Sequence, residues 1–597
     1  MITTNLEYKI EKTKDNYEVL KIEKDNKWIY VGSKYNMKGS VDKFLEEICT
    51  GKDLEKKIFF VFGFGTGEHI KTLCDKFKKN RIIVFEPNEA LKNYIPELKW
   101  ITKYRNLTVL CSEENHLKDF IKNELEDFKT DRIQIGYFAN YHQIYAAEFS
   151  GLIELIKKTI WDMQIEINTS MSYSKRWFDT FVSNFEFMLQ GVPSTVYKDK
   201  YKGRPAIIVS AGPSLEKNIE ELKKIKDDFL ILVGGRTLRS VLDQNIKPSI
   251  MVNVDPSERN YQLVKGYIED TNIPLLFYEG TNEKIVSNHD GKKIFFTQKD
   301  FIKKMAEVEI ENYTFGGSVA HIATGFATDI GCNPIIFIGQ DLAYTNDKMY
   351  SKISSDQNNP NTEEPNSVGN IMVDAVNGGQ LRTEPVLYGF KKNLENYISA
   401  KKQTTLFINA TEGGARIEGT IEMPLKEVIE NYCGNKIIPF DELDIDYKVD
   451  IKKNAKNMIE DVKKSCNSII SYCEKACKNI EDLKEHYDSK KSTKINRTLL
   501  KLDKIDEKIK IEYTKLEITE TLLYPLIFDA MTSKFDIDHH EGTEEDKINT
   551  IIKNNTRLYL NLSANLKYVL KSIDNLLMDL NGESELENLI KGLNLEI

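Results

Sequence analysis

Arginine is the scarcest charged residue in this chain, with only twelve among 83 basic residues. Long hydrophobic runs are missing too. No stretch approaches ~18 apolar residues, so no membrane span is expected. The first twenty residues, MITTNLEYKIEKTKDNYEVL, have no apolar core of the kind that marks a signal peptide. Eight cysteines are scattered along the 597 residues without a zinc-type spacing. Reduced thiols and a cytoplasmic location follow as expectations. Excess positive charge is lacking as well. The 92 acids against 83 bases give a net charge of −9, which argues against nucleic acid as a partner. No internal repeat and no cluster of metal-ligand residues is apparent, so no metal site is assigned.

The arginines that exist are unevenly placed. Arg204, Arg236, Arg239, Arg259, Arg382 and Arg416 account for half of them. A chain that otherwise uses lysine can reserve arginine for gripping phosphate or carboxylate with a planar fork. Arg236 and Arg416 are the first candidates for that role.

The hydrophobic pattern divides the chain into an N-terminal Rossmann-like domain (1–165), a connecting helix (166–200), a central α/β domain with a mostly parallel sheet (201–438) and an all-α C-terminal helical bundle (439–597). In the first, KKIFFVFGFGTGEHIKTL leads to RIIVFEP, so a strand ends at Gly63, Gly65 and Gly67 and an acid, Glu86, follows about twenty residues on. That offset suits a ribose contact. The glycine spacing departs from the dinucleotide pattern and looks closer to the first methyltransferase motif. A domain kept for structure or partner binding is the favoured reading, with methyltransfer a minor alternative. Trp177, Phe178, Phe181, Phe185 and Met188 form a helical stripe read as an interdomain seam. In the C-terminal region, Ile495, Leu499, Leu502, Ile505 and Ile509 form one apolar stripe and Leu562, Leu566, Val569, Ile573, Leu576 and Leu580 another. The pairs Asp444/Asp446 and Asp536/Asp538 follow no strand and read as linker acids. Cys473 and Cys477, one helical turn apart, read as facing core thiols.

Function is concentrated in the central domain. Five short apolar runs stop at small or acidic residues: PAIIVS at Ala211-Gly212-Pro213-Ser214-Leu215, FLILV at Gly234-Gly235-Arg236, SIMVNV at Asp255-Pro256-Ser257, PIIFI at Gly339-Gln340-Asp341 and TLFI at Asn409-Ala410-Thr411-Glu412-Gly413-Gly414. Buried parallel strands have this form, and ligands of open α/β sheets sit beyond their carboxyl ends. Gly212 permits close backbone approach, and Ser214 at a helix start can cap that helix or donate to a phosphate. Gly317 and Ser318 form a second anion cradle. Gly235, Asn253, Gln340 and Thr411 lie at the same edge. Asp255 and Asp341 are placed for sugar hydroxyls or helix capping. Glu412 can take a proton from an acceptor or anchor its loop. The polar segment Ser351–Asn370 is expected to be a mobile loop or lid.

Read together, RPAIIVSAGPSL, NVDPS, FGGSVAHIATGFATDIGCNPIIFIGQDLAYT, LRTEPVLYGFKKNLENYI and INATEGGARIEGT resemble the motility accessory factor (Maf) family of flagellin glycosyltransferases, over roughly residues 200–425. The central domain of that family is similar to bacterial sialyltransferases that use CMP-sialic acid. The resemblance implies a CMP-activated nonulosonic acid, such as legionaminic or pseudaminic acid, as donor, and flagellin Ser or Thr as acceptor. It implies a glycosyltransferase, and since CMP is already a good leaving group no cofactor is expected; a C-terminal helical module of this kind usually docks partners or oligomerises, so a homo-oligomer is a further expectation. Gly212, Pro213 and Ser214 match the turn that lies against CMP. Asp255 matches the nucleotide contact of the third strand, Gly317 and Ser318 a second turn, and Asp341 and Tyr344 the following G-x-D segment. Relatives commonly place a histidine soon after that segment, and Tyr350 stands there instead. Glu412, Asp255 and Tyr350 are therefore the candidate bases. His321 reads as a packed or capping histidine. The G-P-S-L half also resembles archaeal-type 6-hydroxymethylpterin diphosphokinases, and a non-enzymatic flagellin-binding protein is the remaining alternative.

Overall fold

A computed structural model describes residues 3–581 except 52, 112–113, 126–131, 226, 315, 356–370, 435 and 539–542. Most of the expected lid lies outside the described residues. By contacts the chain forms two units. The first comprises Met1–Ser174, Ala476–Leu499 and Leu523–Leu562; the second comprises Lys175–Lys475, Leu500–Leu522 and the stretch from Ser563. The C-terminal helices are thus shared out between the two units. The connecting segment belongs to one 45-residue helix, Ala146–Gln190. Among the described residues no helix is long and apolar enough to cross a membrane.

The first unit opens with an antiparallel meander, β1 (Tyr8–Lys12), β2 (Glu18–Lys24) and β3 (Lys27–Val31). A four-stranded parallel sheet follows, built from β4 (Ile58–Phe62), β5 (Ile82–Phe85), β6 (Leu107–Leu110) and β7 (Ile133–Tyr137) in the order β6-β5-β4-β7. The Rossmann-like expectation holds for the backbone. The space a nucleotide would take is filled by the protein. A Cβ on Gly63 would lie 2.4 Å from the Tyr141 ring, and one on Gly67 would lie 2.5 Å from Trp100. Glu86 is 1% exposed. It accepts from the backbone N–H of Phe64 at 2.8 Å and of Asn88 at 2.9 Å, and from the Tyr141 hydroxyl at 2.8 Å. The glycines therefore make room for aromatic rings.

The second unit is organised by a nine-stranded, wholly parallel sheet. Its strands are β8 (Val192–Pro193), β9 (Ala206–Val209), β10 (Leu230–Gly234), β11 (Ile250–Val252), β12 (Leu275–Phe277), β13 (Lys293–Phe295), β14 (Ile335–Ile338), β17 (Phe407–Asn409) and β18 (Ile421–Glu422), with the hairpin β15 (Ile371–Asp374) and β16 (Gln380–Thr383) standing apart. The order is β18-β17-β14-β9-β10-β11-β12-β13-β8. All five apolar runs identified in the sequence are strands of this sheet. Every residue of β9 and β14 is buried, as helices on both faces require. The chain leaves β9 in one direction through β10 to β13 and returns on the other side as β14. This reversal opens a crevice beyond the carboxyl ends of β9, β10 and β14.

The aromatic stripe packs within this unit: Phe178, Phe181, Phe185 and Met188 are buried, and Phe185 meets Phe301 with ring centroids 6.5 Å apart. Of the C-terminal stripes, the second is core, with Leu562, Leu566, Val569, Ile573 and Leu576 all buried. The first is covered only at Leu502, and Leu499 stays 39% exposed. Asp444 and Asp446 lie exposed in an irregular segment before the helix Ile451–Asp488, whereas Asp536 and Asp538 fall at the end of the helix Glu520–Asp538. Cys473 is buried and Cys477 partly so.

Burial pushes the Glu86 carboxyl up from 4.5 to about 7. A carboxyl raised in the folded state contributes stability that is full below its unfolded value and is lost as pH climbs through its folded value. Urea unfolding of the first unit, followed by tryptophan fluorescence, should therefore weaken by up to about 3 kcal/mol between about pH 4.5 and 7. Glu86→Gln, which stays neutral, should remove most of that slope.

Candidate functional site

A cavity of about 430 Å³ occupies the crevice. Four of the five strand-end clusters reach it: Ser210–Gly212 after β9, Gly234–Thr237 after β10, Asp255 and Ser257 after β11, and Gly339–Ala343 after β14. The helix start Ser318–Ala320 and the segment Met349–Tyr350 add to the wall, and Leu387 and Phe390 form an apolar side. Of the residues singled out by sequence, Gly212, Gly235, Arg236, Asp255, Ser318, Gln340, Asp341 and Tyr350 line this space.

At its centre is Asp341, whose carboxylate fills the anion cradle expected to hold a phosphate. Asp341 is 2% exposed and Ser214 is 1% exposed. The Ser214 hydroxyl donates to Asp341 Oδ1 at 2.5 Å, the Ser214 backbone N–H lies 3.3 Å from both carboxylate oxygens, and the Thr345 hydroxyl donates to Oδ2 at 2.6 Å. Burial raises this carboxyl above the usual range, against the pull of those donors. The surrounding glycines serve the same contact. A Cβ on Gly212 would fall 2.1 Å from Asp341 Oδ1, and one on Gly414, at φ +71°, would fall 2.4 Å from Asp341 Cα. Gly212, Pro213 and Ser214 thus form a turn shaped around an internal carboxylate. Ser214 is not presented to the cavity.

The fifth cluster closes behind Asp341 and does not line the cavity. Thr411 Oγ1 accepts from the Gln340 backbone N–H at 3.4 Å, and the Ala415 N–H donates to the Asp341 carbonyl at 2.7 Å. Glu412 Oε1 accepts from Asn218 Nδ2 at 3.0 Å and from the Leu425 N–H at 3.1 Å. Its carboxylate anchors the start of the helix Leu425–Tyr432, so of the two roles left open it takes the anchoring one. Arg416 pairs with Glu422 at 3.4 Å, with 66% of its side chain exposed, and it too lies outside the cavity. Tyr344 is buried and donates to Glu384 at 2.7 Å. Asn253 is buried beside the cavity, accepting from Asn260 Nδ2 at 2.7 Å. Gly317, at φ +73°, shapes the turn before Ser318.

Positive groups gather on the other side. The Arg236 guanidinium stacks 4.0 Å from the Tyr350 ring centroid and donates to the Ser354 carbonyl at 3.4 Å. Arg259 is an exposed wall residue. The helices Gly235–Leu242 and Val319–Asp329 both begin at the cavity, and free N–H groups at such ends favour an anion. His321 caps the second of these helices. Its Nδ1 accepts from the Ser318 N–H at 3.2 Å and its Nε2 meets the Phe390 carbonyl at 3.0 Å. Burial pushes this imidazole down to about 4, so it stays neutral. Asp255 is exposed at the rim, with Oδ1 accepting from the Ser257 N–H at 2.7 Å.

The segment after Tyr350 is tied down. The Ser351 N–H donates to the Ala211 carbonyl at 2.9 Å, Arg239 to the Ser355 carbonyl at 2.7 Å and Ser240 to the Ile353 carbonyl at 3.0 Å. Sequence reasoning missed Asn260, Leu387 and Phe390 as wall residues. Arg259 carried a signal in the scarcity of arginine. Leu387 and Phe390 had none, because they sit on a helix far along the chain.

A family profile described as 6-hydroxymethylpterin diphosphokinase MptE-like matches residues 179–347, from within the helix Ala146–Gln190 to just past β14. The whole chain is similar in fold to a solved structure, "Structure of MAf glycosyltransferase from Magnetospirillum magneticum AMB-1". That similarity has a TM-score of 0.59 and 13% identity, and it covers 95% of this chain and 93% of the other. The fold expected from the resemblance to the Maf family is therefore present along nearly the full length. No curated protein sequence matches the chain.

Asp341→Ala should lower stability by about 2–4 kcal/mol, because it leaves the Ser214 and Thr345 donors buried without their acceptor. Gly212→Ala should do the same by forcing a methyl against that carboxylate. Thermal melting checks both, and an unchanged midpoint for either variant would contradict the internal anchor.

Proposed function

We propose that this protein is a glycosyltransferase that moves a nonulosonic sugar from a CMP-activated donor to a Ser or Thr hydroxyl of flagellin. The observation that carries the reading is one cavity with Arg236, Arg259 and two helix starts on its walls and the exposed carboxylate of Asp255 at its rim. The Maf fold along the chain supports the same reading.

The chemistry asks for little else. When the sugar–CMP bond breaks, negative charge gathers on the phosphate and positive character on the sugar. In this reading the helix starts at Gly235 and Val319 hold the phosphate, with Arg236 beside them. Ser214 and Asp341 fix the turn against which the nucleotide lies. Asp255 takes the acceptor proton, the role considered for Glu412 and Tyr350, while Tyr350 keeps Arg236 in place by stacking. CMP needs no metal to leave, so transfer is proposed to proceed without a resident cofactor, in the cytoplasm.

Intact mass of flagellin co-expressed with the chain and a CMP-sugar pathway tests the proposal. Asp255→Asn should cut transfer by about 10²–10⁴-fold while CMP still binds, and EDTA should leave the rate unchanged. Full transfer by Asp255→Asn would remove Asp255 as the base. Unmodified flagellin with the parent chain would remove the reading itself.

The diphosphokinase profile supports a second reading, pyrophosphoryl transfer from ATP within the same cavity. Thermal shift separates the two: stabilisation by CMP favours glycosyl transfer, and stabilisation by ATP with magnesium alone favours the kinase.

A further inference from the structure

A second cavity, of about 710 Å³, opens at the opposite edge of the nine-stranded sheet. Its walls precede the strands instead of following them. Lys198–Gly203 leads into β9, Gly331–Asn333 into β14 and Lys401–Thr405 into β17. It is larger than the 430 Å³ cavity at the carboxyl edge and shares no residue with it. The helix Val319–Asp329 begins at one cavity and ends at the other, which sets them about 16 Å apart along that helix.

The floor is fixed and the mouth is charged. Asp329, with 9% of its side chain exposed, accepts from the Tyr313 hydroxyl at 2.8 Å. Its other oxygen lies 3.9 Å from Lys198 Nζ, longer than a hydrogen bond. Tyr313 is wedged between Phe296 and Phe326, with centroids 5.3 and 6.0 Å away, and its hydroxyl is also 3.1 Å from Ser194 Oγ. Tyr397 joins the wall, held by the Thr328 hydroxyl. Nearer the solvent stand Lys202, Lys401, Asp199 and Glu311, all exposed.

Three lysines thus face three carboxylates in one concave space, and no net charge selects an ion of either sign. A ligand that satisfies such a lining must donate to carboxylates and accept from ammonium groups at neighbouring positions. A hydroxyl does both, and an array of hydroxyls does so at every point. Tyr397, part-exposed on the wall, adds aromatic surface for an apolar face, and the volume lies within the range that holds a small ligand. The geometry points to a binding site for a neutral carbohydrate of one to three rings, at the sheet edge remote from the transfer cavity. The site requires nothing of the transfer chemistry and stands apart from that reading.

Saturation-transfer NMR on the full chain tests it, with glucose, sucrose and maltotriose as probes, each with and without CMP. At least one probe should bind with a Kd of about 1 mM or tighter, and CMP should not displace it. Asp329→Asn should weaken that binding at least about tenfold, as one lost charge-assisted hydrogen bond does. Glu311→Gln, an exposed change that leaves the fold alone, should weaken it as well. Silence from all three sugars overturns the proposal. So does displacement by CMP, which would place the sugar in the first cavity, and so does parent-like binding by Glu311→Gln.

Discussion

The buried carboxylate of Asp341 holds the central unit's site in shape. It ties the end of β14 to the turn after β9 through Ser214, and its own backbone carbonyl receives the N–H of Ala415 after β17. Three neighbouring strands are therefore joined at their carboxyl ends by one residue. A buried charge is costly unless every lone pair has a donor, and here two hydroxyls and a backbone N–H supply them. The glycines at 212 and 414 follow from this packing, since any side chain there would strike Asp341.

The same solution appears in the first unit. There a glycine-rich turn between a strand and a helix is filled by the Tyr141 ring and tied to the internal acid Glu86. Both turns look from sequence like cradles for a phosphate or ribose, and both are satisfied by the protein's own side chains. The difference lies next door. In the first unit aromatic rings close the space, and the small remaining cavity beside Glu86 measures about 10 Å³. In the second unit the neighbouring strand ends leave a cavity, and the helix starts at Gly235 and Val319 remain facing it.

Much of the architecture was legible in the sequence because parallel strands buried on both faces leave continuous apolar runs, and all five such runs are strands of one sheet. The convergence of Gly212, Gly235, Asp255 and Gln340 was legible for the same reason, as strand ends of one sheet edge. The roles of Ser214, Glu412 and Arg416 were not. A serine at a helix start looks the same in sequence whether its hydroxyl meets a ligand or Asp341, more than a hundred positions away. Glu412 follows a strand, as Asp255 does, yet its positive φ of 56° turns it toward Asn218 and the Leu425 helix. Leu387 and Phe390 escaped notice because apolar residues on a helix carry no sign of which cavity they will close.

The position of β9 has a consequence for biosynthesis. Its partner β10 is made soon after it, but its other partner, β14, pairs through Ala206 and Ile335 and leaves the ribosome about 130 residues later. At ordinary elongation rates that interval lasts roughly 6–25 s. During it the nascent chain carries an entirely apolar strand with one edge unpaired. Until β14 emerges, that edge is open to pairing with another chain.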